Sequence, residues 1–371
     1  MTLEYGLATS TWNDERWARA ALSWLCEPGS RLAQELATTP AVELLARELR
    51  PDSPLAIRDR DEIQRQLMSL KQPAGVVIPG DSGWPTQLDD LPSPPIALWW
   101  RGFGSLRDMC ARSIAVVGAR QATQYGERTA LRMGAELAGS GWTVVSGGAF
   151  GIDAAAHRGA LTEAPVVCVL ASGIDVAYPA AHADLLERIA LDGVIVSESA
   201  LGEPARRYRF LQRNRVIAAL ARGTVVVEAA YRSGSLGTAR RALELGRIVM
   251  GVPGPVTSSA SLGVLELLRT DPATHLVTCS ADVMELCALV GEQLIGPRDG
   301  PRDARDGVSE LAQRVLDHLV DKPLSAAKAA ALAQCPQLAA IDALTELAVA
   351  GLAVFDGLWK VTSAGRAPAP R

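Results

Sequence analysis

Arg206-Arg207-Tyr208-Arg209-Phe210-Leu211-Gln212-Arg213-Asn214-Arg215 places five arginines and no carboxylate in ten residues. Guanidinium forks bind phosphate oxygens in pairs, and the rings of Tyr208 and Phe210 offer flat faces on which a base can stack. The whole chain carries a net charge of −4, so the cluster is not a by-product of general basicity. Only four of the 37 basic residues are lysines, a bias expected of a G- and C-rich coding sequence. Arginine excess alone therefore says little. The clustering is what points to a nucleic-acid backbone held in a local pocket.

Three glycine-containing loops add anion-binding chemistry. Gly118-Ala119-Arg120 follows the apolar run Ile114 to Val117. Ser146-Gly147-Gly148-Ala149-Phe150-Gly151-Ile152-Asp153 follows Val144-Val145, and Ser233-Gly234-Ser235 follows a strand ending at Glu228. Amides ahead of a helix point at an anion, and glycine lets backbone approach it. In an open parallel sheet such loops lie at the carboxyl ends of the strands, where ligands bind. Asp153 is placed to be a helix N-cap, and His157 to be a satisfied structural histidine. Glu198 and Glu228 are expected to be tied to backbone amides rather than to act as acids or bases.

Several other chemistries lack their motifs. There is no G-x-G-x-x-G, Walker lysine, G-x-S-x-G or H-E-x-x-H. The six cysteines show no C-x-x-C, and the four histidines have no metal-ligand spacing. No disulfide framework, metal or cofactor is expected. No apolar run reaches the ~18 residues of a membrane span. The first five residues lack the features of a secretory signal. A cytoplasmic protein with no membrane contact is expected.

The elements that would position these groups repeat as strand, turn and helix from Ser113. Ile114–Val117, Val144-Val145, Val166–Leu170, Val194–Val196, Thr224–Val227 and Ile248–Met250 read as strands, mostly apolar throughout, as in a sheet buried on both faces. Helices are expected up to about Ala138, from Asp153, and from Ser235 to Leu245. This predicts an α/β fold with an extended Rossmann-like, doubly wound parallel sheet. Residues 1–70 read as an N-terminal helical, SAM-like domain. Asn13 would cap its first helix, Trp17, Ala21, Leu22, Trp24 and Leu25 recur at helical spacing, and further helices fall at Ala41–Leu45 and Ile57–Leu70. The binding domain, 71–290, opens with a Pro-rich segment that packs over a neighbour and ends in a strand at Ile96–Trp100. Residues 291–307 read as a linker. Residues 308–371 read as a winged-helix-like domain: helices at Val308–Leu319, Leu324–Leu332 and Gln337–Ala350, then a hairpin turning at Asp356-Gly357. The last of these helices carries Asp342, Glu346 and no basic residue, which argues against reading a duplex groove.

These motifs, in this order, resemble the DNA-processing protein A (DprA/Smf) family from about Trp84 to Pro255. Gly118-Ala119-Arg120 stands where the family usually has Gly-Ser-Arg, and Ser146 to Asp153 matches S-G-x-A-x-G-I-D. Gly173 to Pro179 matches G-x-D-x-x-Y-P, and Phe210 to Ala218 matches F-P-x-R-N-R-I-I-A. Val227-Glu228-Ala229 with Ser233 to Leu236 matches V-E-A…S-G-S-L. Ala119 replaces a serine, removing one hydroxyl donor worth ~1 kcal/mol, and Leu211 replaces a proline. The resemblance implies a non-enzymatic, single-stranded DNA-binding protein, homodimeric, that protects incoming strands in natural transformation and helps load the RecA recombinase. The resemblance implies Arg120, Phe210, Arg213 and Arg215 as DNA-binding residues, and with the three loops the expected site comprises Gly118, Arg120, Ser146, Gly147, Gly148, Gly151, Phe210, Arg213, Asn214, Arg215, Ser233, Gly234 and Ser235. The alternative is a nucleotide-processing enzyme on the same fold. The Ser233–Thr238 loop more weakly resembles the P-G-G-x-G-T-x-x-E loop of phosphoribohydrolases, without its proline and with Arg240 near the expected acid.

Overall fold

The computed structural model describes residues 14–28, 30–48, 60–289, 292 and 307–362. The chain divides into two compact units, Met1–Leu294 and Ile295–Arg371. Among the described residues, no helix is long and apolar enough to cross a membrane.

The first unit begins with four short helices, α1 (Asp14–Leu22), α2 (Arg31–Glu35), α3 (Ala41–Glu48) and α4 (Arg60–Met68). Ala18, Ala21 and Leu22 of α1 pack with Leu44 and Leu45 of α3. The expected cap at Asn13 and the first residues of the helix expected from Ile57 lie outside the described residues.

A nine-stranded sheet follows. Its elements run β1 (Ala74–Val77), β2 (Leu98–Gly102), α5 (Leu106–Ala111), β3 (Ser113–Val117), α6 (Gln124–Gly139), β4 (Thr143–Ser146), α7 (Ile152–Ala160), β5 (Val167–Leu170), α8 (Ala183–Asp192), β6 (Val194–Ser197), α9 (Arg207–Leu220), β7 (Gly223–Val226), α10 (Gly234–Glu244), β8 (Ile248–Gly251), α11 (Leu262–Thr270), β9 (Thr274–Leu276) and α12 (Ser280–Cys287). The strand order is β1-β2-β6-β5-β4-β3-β7-β8-β9. Seven neighbouring strands, β6 to β9, are parallel. Every residue of β3 is buried, as the unbroken apolar run Ile114–Val117 requires of a strand covered on both faces.

Two expectations are corrected here. The Pro-rich segment is not merely a cover, because β1 and β2 extend the sheet by antiparallel pairing on β6. Ile248–Met250 is not the last strand, because β9 pairs beyond it. Ala-Gly-Val-Val and Thr-His-Leu are too short and too mixed to announce themselves as buried runs. The strand expected at Ile96–Trp100 starts two residues later, at Leu98.

The sheet changes direction at β3. From it the chain winds outward through β4, β5 and β6, then returns to lay β7 on the opposite side of β3. Loops leaving the carboxyl ends of β3 and β7 therefore diverge and open a crevice at the topological switch point.

The second unit contains α13 (Glu310–Asp321), α14 (Ala326–Leu332), α15 (Gln337–Val349) and an antiparallel pair, β10 (Ala353–Asp356) and β11 (Leu358–Val361). Val315, Leu316, Leu319, Leu344, Leu347 and Leu352 form its core. Glu346 of α15 accepts from the Ser309 amide and hydroxyl ahead of α13, each at 2.6 Å.

Candidate nucleic-acid interface

The switch-point crevice has a volume of about 930 Å³. Gly118, Ala119 and Arg120 line it from the loop after β3, Ala149 and Asp153 from the loop after β4, and Arg232 to Ser235 from the loop after β7. Helix α9 contributes Arg213 and Ile217, both buried, and the less buried Arg207, Phe210, Leu211 and Asn214. The spacing of the last four, i, i+3, i+4, i+7, is one face of a helix.

That periodicity divides the basic stretch. Arg209, Arg213 and Arg215 are buried, whereas Arg206 and Arg207 are exposed. Arg209 pairs with Glu27 at 2.8 Å and Glu203 at 3.0 Å. Arg215 pairs with Glu198, donates to the Ser93 carbonyl at 2.6 Å, and does not line the crevice. The cations that face the crevice without an ion-pair partner among the described residues are Arg120, Arg207 and Arg232. Arg207 and Arg232 were not among the expected site residues. The helical period of residues 207–214 was the signal for the first.

The aromatic component is a tilted pair rather than a lone ring. Tyr178 lies 5.3 Å from Phe210, centroid to centroid, and Arg120 sits over the Phe210 ring at 4.6 Å. The guanidinium thus holds one side of the ring by a cation–π contact. Asn214 donates to the Gly234 carbonyl at 3.3 Å, tying α9 to the third loop. There, Ser233 caps α10 by accepting from the Ser235 amide, and the two hydroxyls lie 2.7 Å apart. Helix α10 thereby presents its amino terminus to the crevice.

At the floor of the crevice lies a buried charge pair, Arg213 and Asp153. Arg213 donates to the Val169 carbonyl at 3.3 Å and stands 3.9 Å from the Asp153 carboxylate. Asp153 is not the N-cap of α7. That position is Gly151, and the Asp153 carboxylate turns back to accept from the Gly147 amide at 3.2 Å. Burial raises the Asp153 pKa, with Arg213 and the Ala149 and Gly147 amides pulling the other way. Burial likewise lowers that of Arg213, opposed by Asp153.

The glycines serve this packing more than they serve a ligand. A Cβ on Gly147 would overlap the Arg213 guanidinium, and one on Gly118 would overlap Ile152. Gly147→Ala should therefore destabilise the fold by about 1–3 kcal/mol, measured as a lower denaturation midpoint. An unchanged midpoint would show that Arg213 moves aside freely. Gly148 and Gly151 adopt φ of +65° and +72° and line no part of the crevice, and Ser146 is buried, donating to the Val116 carbonyl at 2.6 Å.

The expected acids are both occupied. Glu228, 1% exposed, accepts from the amide at 2.8 Å and the hydroxyl at 2.6 Å of Thr123, the N-cap of α6. Glu198 is held by Arg215 rather than by a backbone amide. His157 is fully buried, with the Ser146 carbonyl near its ring but no well-aligned hydrogen bond to either nitrogen.

The sequence profile described as DNA recombination-mediator protein A matches residues 75–288. This chain belongs to that family, DprA/Smf. The putative DNA processing protein DprA of Mycobacterium tuberculosis is 42% identical over 327 residues, 84% of this chain and 83% of the relative. Protein Smf of Escherichia coli is 40% identical over 229 residues, 61% of this chain and 60% of the relative. The X-ray structure of DprA from Streptococcus pneumoniae superposes with a TM-score of 0.58 at 28% identity, covering 74% of this chain and 95% of that one. DprA from Helicobacter pylori, described as having a unique single-stranded DNA binding mode, gives 0.51 at 26% identity, covering 57% and 94%. The family is described as one of DNA recombination mediators.

Proposed function

We propose that this chain binds single-stranded DNA through the switch-point crevice, without regard to sequence. The observation that carries this reading is the convergence of Arg120, Arg207 and Arg232 with the tilted Tyr178–Phe210 pair on one volume. Phosphates take the three guanidinium groups and the amides at the start of α10, while an unstacked base takes the open side of the aromatic pair. Backbone and stacking contacts carry no base identity, and only an unpaired base is free to stack. The single-strand binding described for the H. pylori relative supports the same reading. We extend it to protection of incoming strands and to RecA loading by a cytoplasmic homodimer, of which the family description of a recombination mediator supports the RecA part.

Fluorescence anisotropy of a labelled oligonucleotide across a salt series tests the core of this. The wild type should prefer single strands to duplex. Phe210→Ala should lose about tenfold or more, for a stacked base worth about 1–3 kcal/mol. Equal binding of duplex, or an unaffected Phe210→Ala, would move the DNA site elsewhere.

A further inference from the structure

We propose that Glu27 is a positioning residue for the crevice: through it the N-terminal helices fix the first turn of α9, which carries Arg207 and Phe210. The inference rests on the single-strand reading above.

Helix α9 starts under unfavourable conditions. Its N-cap, Arg206, makes no side-chain capping bond, and its first turn contains no acidic residue. Arg206, Arg207 and Arg209 crowd the positive end of the helix dipole, where carboxylates are favoured. The missing carboxylate comes from outside the helix. Glu27 Oε1 accepts from the Tyr208 hydroxyl at 2.6 Å and from Arg209 Nη2 at 2.8 Å and Nε at 3.2 Å. Trp24, three residues earlier, donates its indole N–H to the Leu201 carbonyl at 3.2 Å, at the other end of the loop entering α9. Trp24 is itself set edge-on against Trp99 of β2, whose indole donates to Ser23 at 3.1 Å. Residues 23–27 thus grip both ends of segment 201–209 while resting on the sheet.

Glu27 and Arg209 do not line the crevice, whereas Arg207 and Phe210 do. Any effect of Glu27 on DNA must pass through the placement of the helix turn or through its charge, and these two routes differ in sign. Removing a carboxylate near a basic site strengthens DNA binding if charge alone matters. Removing a positioning contact weakens it.

The test uses the full chain and a labelled oligothymidylate, comparing wild type, Glu27→Gln, Glu27→Ala and Glu27→Ala in an Arg207→Ala/Phe210→Ala background. Glu27→Ala should bind about tenfold more weakly at temperatures where melting curves show it folded, because the Tyr208 hydroxyl loses its acceptor and Arg209 keeps only Glu203 of its two carboxylates. Glu27→Gln, which keeps an acceptor for Tyr208, should fall between it and wild type. In the Arg207→Ala/Phe210→Ala background, compared at low salt, the Glu27→Ala loss should vanish, since the residues it positions are gone. Binding equal to or tighter than wild type in both Glu27 variants would overturn the inference, as would a full loss persisting in the double-alanine background. If Glu27→Ala does not fold, Glu27→Gln decides alone. A wild type that fails to bind single strands would instead sink the proposed function.

Discussion

Replacing Arg120, Arg207 and Arg232 together by alanine should weaken single-stranded DNA binding about a thousandfold and leave the fold intact. Each of the three is exposed and faces the crevice. A hydrogen bond from a charged group to phosphate is worth about 1.5 kcal/mol or more, and about 1.4 kcal/mol is tenfold in affinity. Single-strand binding also falls with salt in proportion to the phosphates neutralised, by about 0.7 log units of affinity per log unit of salt for each. The triple variant should therefore lose about two units of slope. Arg120→Ala should account for more than its third, since it also frees the Phe210 ring that its guanidinium covers at 4.6 Å. Arg215→Ala is the contrasting case. It strands the buried Glu198 carboxylate and should cost about 3–5 kcal/mol of stability, with the salt slope of the folded fraction unchanged. A triple variant with the wild-type slope, or an Arg215 variant with a reduced one, would return the phosphate path to the R-N-R arginines.

The difference between those two groups of arginines marks where the sequence stops being informative. The strand-turn-helix alternation from Ser113 was legible because each parallel strand, buried on both faces, must be apolar along its length. The three loops were legible because glycine and serine after such strands have few other uses. Counting arginines in residues 206–215 was not enough, because a helix sorts its residues by angle. Arg207, Phe210, Leu211 and Asn214 turn to the crevice, Arg213 and Ile217 are buried at its floor, and Arg209 turns inward with Val216 and Leu220. Among the partners that make burial of these cations tolerable, Glu203 lies six residues from Arg209, but Glu27, Asp153 and Glu198 lie 182, 60 and 17 residues from theirs. No local pattern announces such pairs. Gly147 is a similar case. Its loop reads as a phosphate cradle, yet what the structure shows pressing on its α-carbon is the side chain of Arg213.

His157 should make the fold sensitive to acid. It is fully buried beneath the second loop, and burial pushes its pKa down to about 3, with Arg213 and His182 adding to the shift and the Ser146 carbonyl opposing it. An unfolded histidine titrates near 6.5, so between that pH and about 3 the unfolded chain binds a proton that the folded chain refuses. Stability from this residue is complete above 6.5 and is lost as pH falls. The loss is about 2–3 kcal/mol by pH 4.5 and up to about 5 kcal/mol at the acid end, at about 1.4 kcal/mol per unit. Asp153 and Glu198 act in the other direction. Burial raises their pKa values, so they favour the folded state when protonated and offset part of the loss only where they take up protons. Comparison with His157→Leu separates the two. Neither ring nitrogen has a well-aligned partner to lose, so the leucine variant should be about as stable as wild type at pH 7. Its denaturant midpoint should then fall much less toward pH 4.5. Parallel profiles would mean that the buried imidazole is not the acid-sensitive group. Divergent ones would establish that at neutral pH the ring is uncharged, leaving Arg213 as the cation over which Gly147 and the second loop are folded.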